Sequence, residues 1–206
     1  PFANRDTRLA ATILMNAASF KGKKVATYVG GADAQPKPNA TKTGYYLRKY
    51  LNEDVNVQTG GSSNGHVVPL FRLAEIYLNY AEALNEYDPT NVDITYYLNK
   101  VRNRAFLPDT PSGLSQEQMR TFIQHERRIE LAFEEHRAWD VRRWKIASST
   151  LGKPLMGVRA EQKETGGYTY TPVEVEQRVF QPKMYWYPIP QSEVLKLKQW
   201  SQNNGW

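Results

Sequence analysis

The chain has 206 residues, 40% of them hydrophobic and 23% charged, and a net charge of +6. That length carries one domain with a sizeable core, or two small ones. The lack of cysteine excludes disulfides, thiolate metal sites and a cysteine nucleophile, and no apolar run approaches the ~20 residues of a membrane-spanning helix.

The positive charge is unevenly placed. Residues 1–50 hold nine Lys/Arg against two Asp, whereas residues 51–206 hold 18 basic against 19 acidic groups. Basicity thus belongs to the N-terminal segment, which reads either as a solvated loop or as a surface for phosphates, acidic sugars or lipid head groups. The start at Pro1, without methionine, suggests a processed or truncated piece, so a missing targeting segment says little about the parent.

Residues 1–68 read as a loop-rich segment. GKK, VGGADAQPKPNATKTG and QTGGSSNGH carry the Gly, Pro, Asn and Ser of irregular backbone, with short strands expected at ATILM (11–15) and YYLRKYL (45–51). Residues 69–149 turn helical. Leu73, Ile76, Tyr77, Tyr80 and Leu84 recur at helical spacing and are expected to face a core, with Glu75, Asn79, Glu82 and Glu86 on the other faces. Asp88-Pro89 closes that helix. A second carries Ile94, Leu98, Val101 and Ala105 on one stripe and stops before Pro108. Together they form a hairpin close to the 34-residue tetratricopeptide length, and a lone copy needs other helices to cover it.

A third helix starts with a capping box, Ser115 with Gln118, and a staple of Leu114 and Met119. Phe122, Ile129 and Phe133 are its expected core stripe, with a break near residues 135–138 and a restart at Trp139. Residues 150–206 read as irregular and rich in aromatics and proline. FQPKMYWYPIPQSE (180–193) is held extended by Pro188 and Pro190, with Tyr185 and Tyr187 on one side as packing residues, and a short helix follows at 191–199. Trp206 either caps a helix pair or lies exposed.

HERRIELAFEEHRAWDVRRWK (125–145) has the residue types of a reaction centre, and each chemistry fails on spacing. A zincin helix needs His at i and i+4, but position 129 is Ile. His125 and His136, on a continuous helix, would lie ~16 Å apart along its axis, too far for one ion. The carboxylates alternate with bases: Arg127 precedes Glu130, Glu134 precedes Arg137 and Asp140 precedes Arg143, each by three residues. Glu126, Arg127, Glu130, Glu134, Arg137, Asp140, Arg142 and Arg143 are therefore expected to form a structural charge network. Residues 115–147 carry seven Lys/Arg and six Asp/Glu, too balanced a charge for a nucleic-acid grip. No G-x-S-x-G, Walker loop or G-x-G-x-x-G occurs. No catalytic residue, metal site or cofactor is expected.

NRDTRLAATIL (4–14), TGYYLRKY (43–50), PLFRLAEIYLNYAEALNE (69–86), YLNKVRNRAFLP (97–108), residues 125–145, RVFQPKMYWYPIPQSE (178–193) and QNNGW (202–206) resemble, in order, the C-terminal half of SusD/RagB-type proteins. These are outer-membrane nutrient-binding lipoproteins of Bacteroidetes. ERRIELAFE-x-HR-x-WD-x-RRW and Y-x-x-PIP-x-x-E are the most specific blocks. The resemblance implies a mainly α fold of tetratricopeptide-like hairpins with long irregular loops and a few short strands. It also implies glycan binding without cleavage, beside a SusC-like TonB-dependent transporter and on a lipidated N-terminal cysteine. In that picture the helical face meets the transporter and the loops hold the sugar. The lipobox cysteine and the family's N-terminal half are not in this chain, and Thr7 stands where many members have Pro. The expected share of the sugar site is the loops at 20–40 and 59–66, with Tyr28 stacking and Asn64 and His66 hydrogen-bonding. The alternative is that Tyr28 and His66 only cover the helices. A helical adaptor for protein contacts, without sugar affinity, is the competing function.

Overall fold

The computed structural model describes residues 2–55, 69–196 and 199–206. Helices dominate its middle and strands are few, as the mainly α reading expects. Helix α1 (Thr7–Thr12) is capped by Asp6, whose carboxylate accepts the Arg8 N–H at 2.9 Å. It runs into β1 (Ile13–Leu14), which pairs antiparallel with β4 (Tyr46–Leu47). Between them β2 (Ser19–Phe20) and β3 (Lys23–Lys24) form a small hairpin. The two expected strands thus survive as two-residue pieces, because α1 takes the start of ATILM.

The core lies among three helices: α2 (Leu73–Tyr87), α3 (Asp93–Arg104) and α4 (Gln116–Glu130). Leu78 and Ala81 meet Ile94, Leu98 and Val101, and α4 adds Met119 and Ile123. Burying each of the larger side chains is worth roughly 1.5–3 kcal/mol. The α3 stripe is the expected one, and α4 supplies the cover that a lone hairpin lacks. The capping box is present, with Ser115 Oγ accepting the Gln118 N–H and Gln118 Oε1 accepting the Ser115 N–H. Leu114 and Met119 both join the core.

Two core stripes are corrected by one step around the helix. On α2, Leu73, Ile76 and Tyr80 are exposed, while Glu75, Leu78, Ala81 and Asn85 are buried and Tyr77 and Leu84 partly so. The helix carries apolar residues on two faces, and periodicity cannot say which one a neighbour covers. Asn85 links α2 to α4: its side chain donates to the Gln116 carbonyl at 3.1 Å, and Gln116 Nε2 donates to the Asn85 carbonyl at 2.8 Å. On α4 the buried stripe is Met119, Ile123, Glu126, Arg127 and Glu130. Of the expected residues, Phe122 packs partly buried against the core, Ile129 is half-buried, and Phe133, beyond the helix end, is exposed. Charged residues occupy the inner face there because they are paired, a case that a hydrophobic count misses.

The helix ends at Glu130, and α5 (His136–Arg143) begins earlier than expected. Phe133 (φ 63°) and Glu135 (φ 65°) take left-handed backbone, which no α-helix can continue. Helix α6 (Ala147–Leu151) follows.

The third segment is less irregular than its composition suggests. Strands β5 (Leu155–Gln162) and β6 (Tyr168–Glu176) form an antiparallel hairpin. YTYTPVEVE is continuous in β-branched and aromatic residues apart from Pro172 and two Glu, and Gly166 and Gly167, both at positive φ, make the turn. Pro172 is tolerated because no other strand among the described residues pairs with the outer edge of β6 in this two-stranded sheet.

A 3-10 turn (Pro182–Tyr185) then interrupts the extended run and breaks the alternation between Tyr185 and Tyr187. Tyr185 packs on Phe180 at 5.0 Å, while Tyr187 is exposed beside Trp139 at 5.9 Å, so the two do not share a packing side. Helix α7 (Gln191–Val194) is shorter than expected. Trp206 caps no helix pair: its indole donates to the carbonyls of Lys183 (3.1 Å) and Trp186 (3.0 Å) and ties the tail to that turn.

Candidate functional site

Glu126, Glu130 and Glu134 lie along one edge of α4 and the turn after it, and each is met by cations from distant segments. Arg8 of α1 reaches Glu126 at 2.6 Å and Glu130 at 2.9 Å. Arg72, just before α2, takes Glu130 at 2.5 Å and Glu134 at 2.6 Å. Arg102 of α3 adds Glu126 at 2.8 Å, Arg104 bonds Glu130, and Lys49 holds Glu134 at 2.5 Å. Burial alone pushes the Glu130 and Glu134 carboxyls up. Hydrogen bonds from Arg8, Arg72 and Lys49, with the neighbouring positive charges, outweigh it and hold both below the ordinary range. Burial likewise lowers the Arg8 guanidinium, but Asp6, Glu130 and Glu126 more than restore its hold on the proton.

A second set lies behind the first. Arg127, buried, forks onto Asp140 with both bonds at 3.2 Å and reaches Asn79 at 2.5 Å. Arg143 joins Asp140 to Glu82, which also accepts the Trp144 indole N–H at 2.7 Å.

Of the i,i+3 pairs expected from spacing, only Asp140–Arg143 forms among the described residues. Arg137 stands outside the network. Burial lowers its pKa and the nearby charge of Arg128 adds to that, with Asp140 only partly offsetting both. Arg142 is outside it too: it donates to the carbonyls of Met184 (3.1 Å) and Ala138 (2.7 Å) and lies over the rings of Phe180 and Tyr187. Spacing along one helix failed here because α4 stops at residue 130 and partners come from other elements. Arg8, Lys49, Arg72, Arg102, Arg104 and Glu82 were not identifiable as members for that reason.

A cleft of about 300 Å³ opens over Arg8, Lys49, Arg72, Arg104, Glu130 and Glu134. Both of its carboxylates are held by two or three cations, so neither is free to take a proton as a base. His125 is exposed, and His136 Nε2 sits 3.6 Å from Glu75. No cluster of three metal-ligating residues occurs among the described residues.

The other candidate surface is aromatic. The loop carrying Tyr28 adds to the outer edge of β5, with Val29 N–H donating to the Ala160 carbonyl at 2.8 Å. The Thr43 carbonyl accepts the Val158 N–H at 2.8 Å on the same edge. Two glycines permit this approach. A Cβ on Gly44 (φ +78°) would stand 2.2 Å from the Val158 oxygen, and one on Gly157 2.8 Å from Thr43.

The contact sets five rings in a chain: Tyr28–Tyr168 at 5.4 Å, Tyr168–Tyr170 at 6.3 Å, Tyr170–Phe2 at 5.1 Å and Phe2–Tyr45 at 6.3 Å. All five are half-buried, so each keeps part of its surface toward solvent. Burial raises the Tyr45 phenol, the charge of Arg5 opposes this and Tyr170 adds to it. Asn64 and His66, the other two expected sugar contacts, lie outside the described residues. No sequence signal singles out Tyr168 and Tyr170, because the segment carrying them reads as irregular chain.

The whole chain, residues 1–206, matches the family model of the SusD family. A SusD-like protein of Formosa agariphila, P25, is 43% identical over 106 residues, which is 49% of this chain and 19% of that protein. A solved SusD-like protein of Bacteroides fragilis superposes with a TM-score of 0.84 at 31% identity, covering all of this chain and 39% of that one. Another from Bacteroides fragilis, described as a SusD-like carbohydrate-binding protein, gives a TM-score of 0.74 at 33% identity over 93% of this chain and 40% of its own. The chain therefore spans well under half the length of these relatives.

Proposed function

The chain belongs to the SusD family, and from that premise we propose that it contributes to non-catalytic glycan binding at the bacterial cell surface, in an outer-membrane nutrient-uptake system. The observation that carries the reading is the full-length family match, seconded by the 33%-identical relative described as carbohydrate-binding. The five-ring chain supplies the chemistry, because a half-exposed tyrosine face suits the C–H faces of a pyranose. In this reading Tyr28 and Tyr168 stack the sugar, and Asn64 and His66 hydrogen-bond it. The partner is a SusC-like TonB-dependent transporter. No helix among the described residues is long and apolar enough to cross a membrane, and the proposed attachment is a lipid anchor on the parent protein. Neither cofactor nor nucleic acid enters the proposal.

Affinity electrophoresis against a panel of polysaccharides tests it. The expected result is retardation on at least one glycan, weakened by Tyr28→Ala without loss of folding. No retardation of the protein on any glycan would sink the role.

A second reading, a helical adaptor for protein contacts, draws on Leu70, Phe71, Leu73 and Ile76, all at least half exposed. A protein partner bound at unchanged strength by Tyr28→Ala and lost with Ile76→Asp would favour it.

A further inference from the structure

We propose that the glycan held on the Tyr28–Tyr45 ring chain is anionic, bearing carboxylate or sulfate groups. This rests on the glycan-binding reading above and specifies its ligand class.

Of the nine Lys/Arg in residues 2–55, four are committed. Arg8, Arg48 and Lys49 pair with carboxylates, and Lys21 Nζ donates to the Val55 carbonyl. Arg5, Lys23, Lys24, Lys37 and Lys42 have no ion-pair partner among the described residues. The stretch from 56 to 68 contains no Asp or Glu that could neutralise them. The segment's own carboxylates are largely used. Asp6 holds Arg8, Asp33 accepts the Ala26 N–H at 2.8 Å, and Glu53 takes Arg48, leaving Asp54 exposed.

The uncommitted cations flank the rings along the chain. Arg5 follows Phe2, which closes one end of the ring chain beside Tyr45, by three residues. Lys42 precedes Thr43, which is bonded to Val158, two residues along β5 from Ala160, the cross-strand partner of Tyr170. Lys23 and Lys24 lie on β3, just before the Tyr28 loop. On the hairpin, Glu161 is paired with Arg159 at 3.0 Å, the exposed Glu164 of the turn is offset by its neighbour Lys163, and Glu174 and Glu176 lie beyond Pro172, away from Tyr168.

Ring faces with a surplus of unpaired cations beside them would repel no sugar but would favour an acidic one. Each exposed contact supplies about a two- to fivefold gain, and salt weakens it.

The test compares binding of the protein to polygalacturonate, alginate and a sulfated carrageenan with binding to laminarin and soluble starch, from 50 to 500 mM NaCl. The expected result is at least about tenfold preference for an anionic polymer at low salt, falling as salt rises. Arg5→Gln with Lys42→Gln should remove most of that preference while leaving the melting temperature in place. The uronate and sulfate arms identify the anionic group. Equal, salt-independent binding of neutral and anionic polymers would overturn the inference and leave the glycan role standing. Binding to none would overturn both. Single-stranded DNA bound as tightly as the best polysaccharide, and unaffected by Tyr168→Ala, would show charge attraction without sugar recognition and would also overturn it.

Discussion

Replacing Glu130 with alanine removes the centre of the charge cluster. Its side chain is 1% exposed and serves Arg8, Arg72 and Arg104 together. Removing one partner of a buried ion pair costs about 3–5 kcal/mol, because the remaining charge is stranded. Arg8 keeps Asp6 and Glu126, and Arg72 keeps Glu134, so the lower end applies. For a chain of this size each kcal/mol lowers the melting temperature by about 2–4 °C, which gives a drop of roughly 6–12 °C by circular dichroism. Arg104→Ala is the contrast: its side chain is 63% exposed, and its loss should cost at most about 1 kcal/mol. Glycan retention of the still-folded Glu130→Ala protein should be unchanged. An unaltered melting temperature together with lost retention would refute the structural assignment. The same carboxylate gives a pH dependence. Glu130 and Glu134 titrate below their ordinary range when folded, so their contribution is complete above about pH 4.3, the unfolded value. It is lost as pH falls through the folded values. Glu130→Gln should therefore narrow the stability gap between pH 6 and pH 3.

Arg142→Ala should cost about 1–2 kcal/mol and free the 180–190 segment to limited proteolysis; an unchanged cleavage pattern would contradict the anchoring of that segment through Met184, Phe180 and Tyr187. Gly44→Ala places a methyl group 2.2 Å from the Val158 oxygen and should raise hydrogen exchange at the Val158 and Val29 amides, with α3 unaffected. Ser115→Ala removes the α4 cap at a cost of about 1 kcal/mol, read from the urea midpoint.

The sequence carried the helical part of this architecture because α3 and the α4 cap follow local rules. Ile94, Leu98 and Val101 sit on one stripe that has one neighbour, and Ser115–Gln118 is a pattern four residues long. The α2 and α4 faces were misplaced where local rules compete. Leu73 and Ile76 form as good a stripe as Leu78 and Ala81, and Glu126, Arg127 and Glu130 look like a solvated face until Arg8, Arg102 and Asp140 are brought to them. The β5–β6 hairpin was legible in the run YTYTPVEVE but was hidden behind its prolines and glycines. Tyr28 could be singled out as an aromatic in a loop, whereas its neighbours Tyr168, Tyr170 and Phe2 are distant in sequence and meet it only through the edge of β5.

Arg8 and Glu130 are 122 residues apart, and Lys49 and Glu134 85. Each contact closes a long loop whose entropy must be lost before the bond forms, whereas α2, α3 and α4 meet through near neighbours. The helical core is accordingly expected to fold first, with the loop layer docking onto it late through these ions. Weakening the clamp should then quicken unfolding while leaving the folding rate nearly unchanged. A chevron for Glu130→Gln whose folding limb moved as much as its unfolding limb would reverse that order.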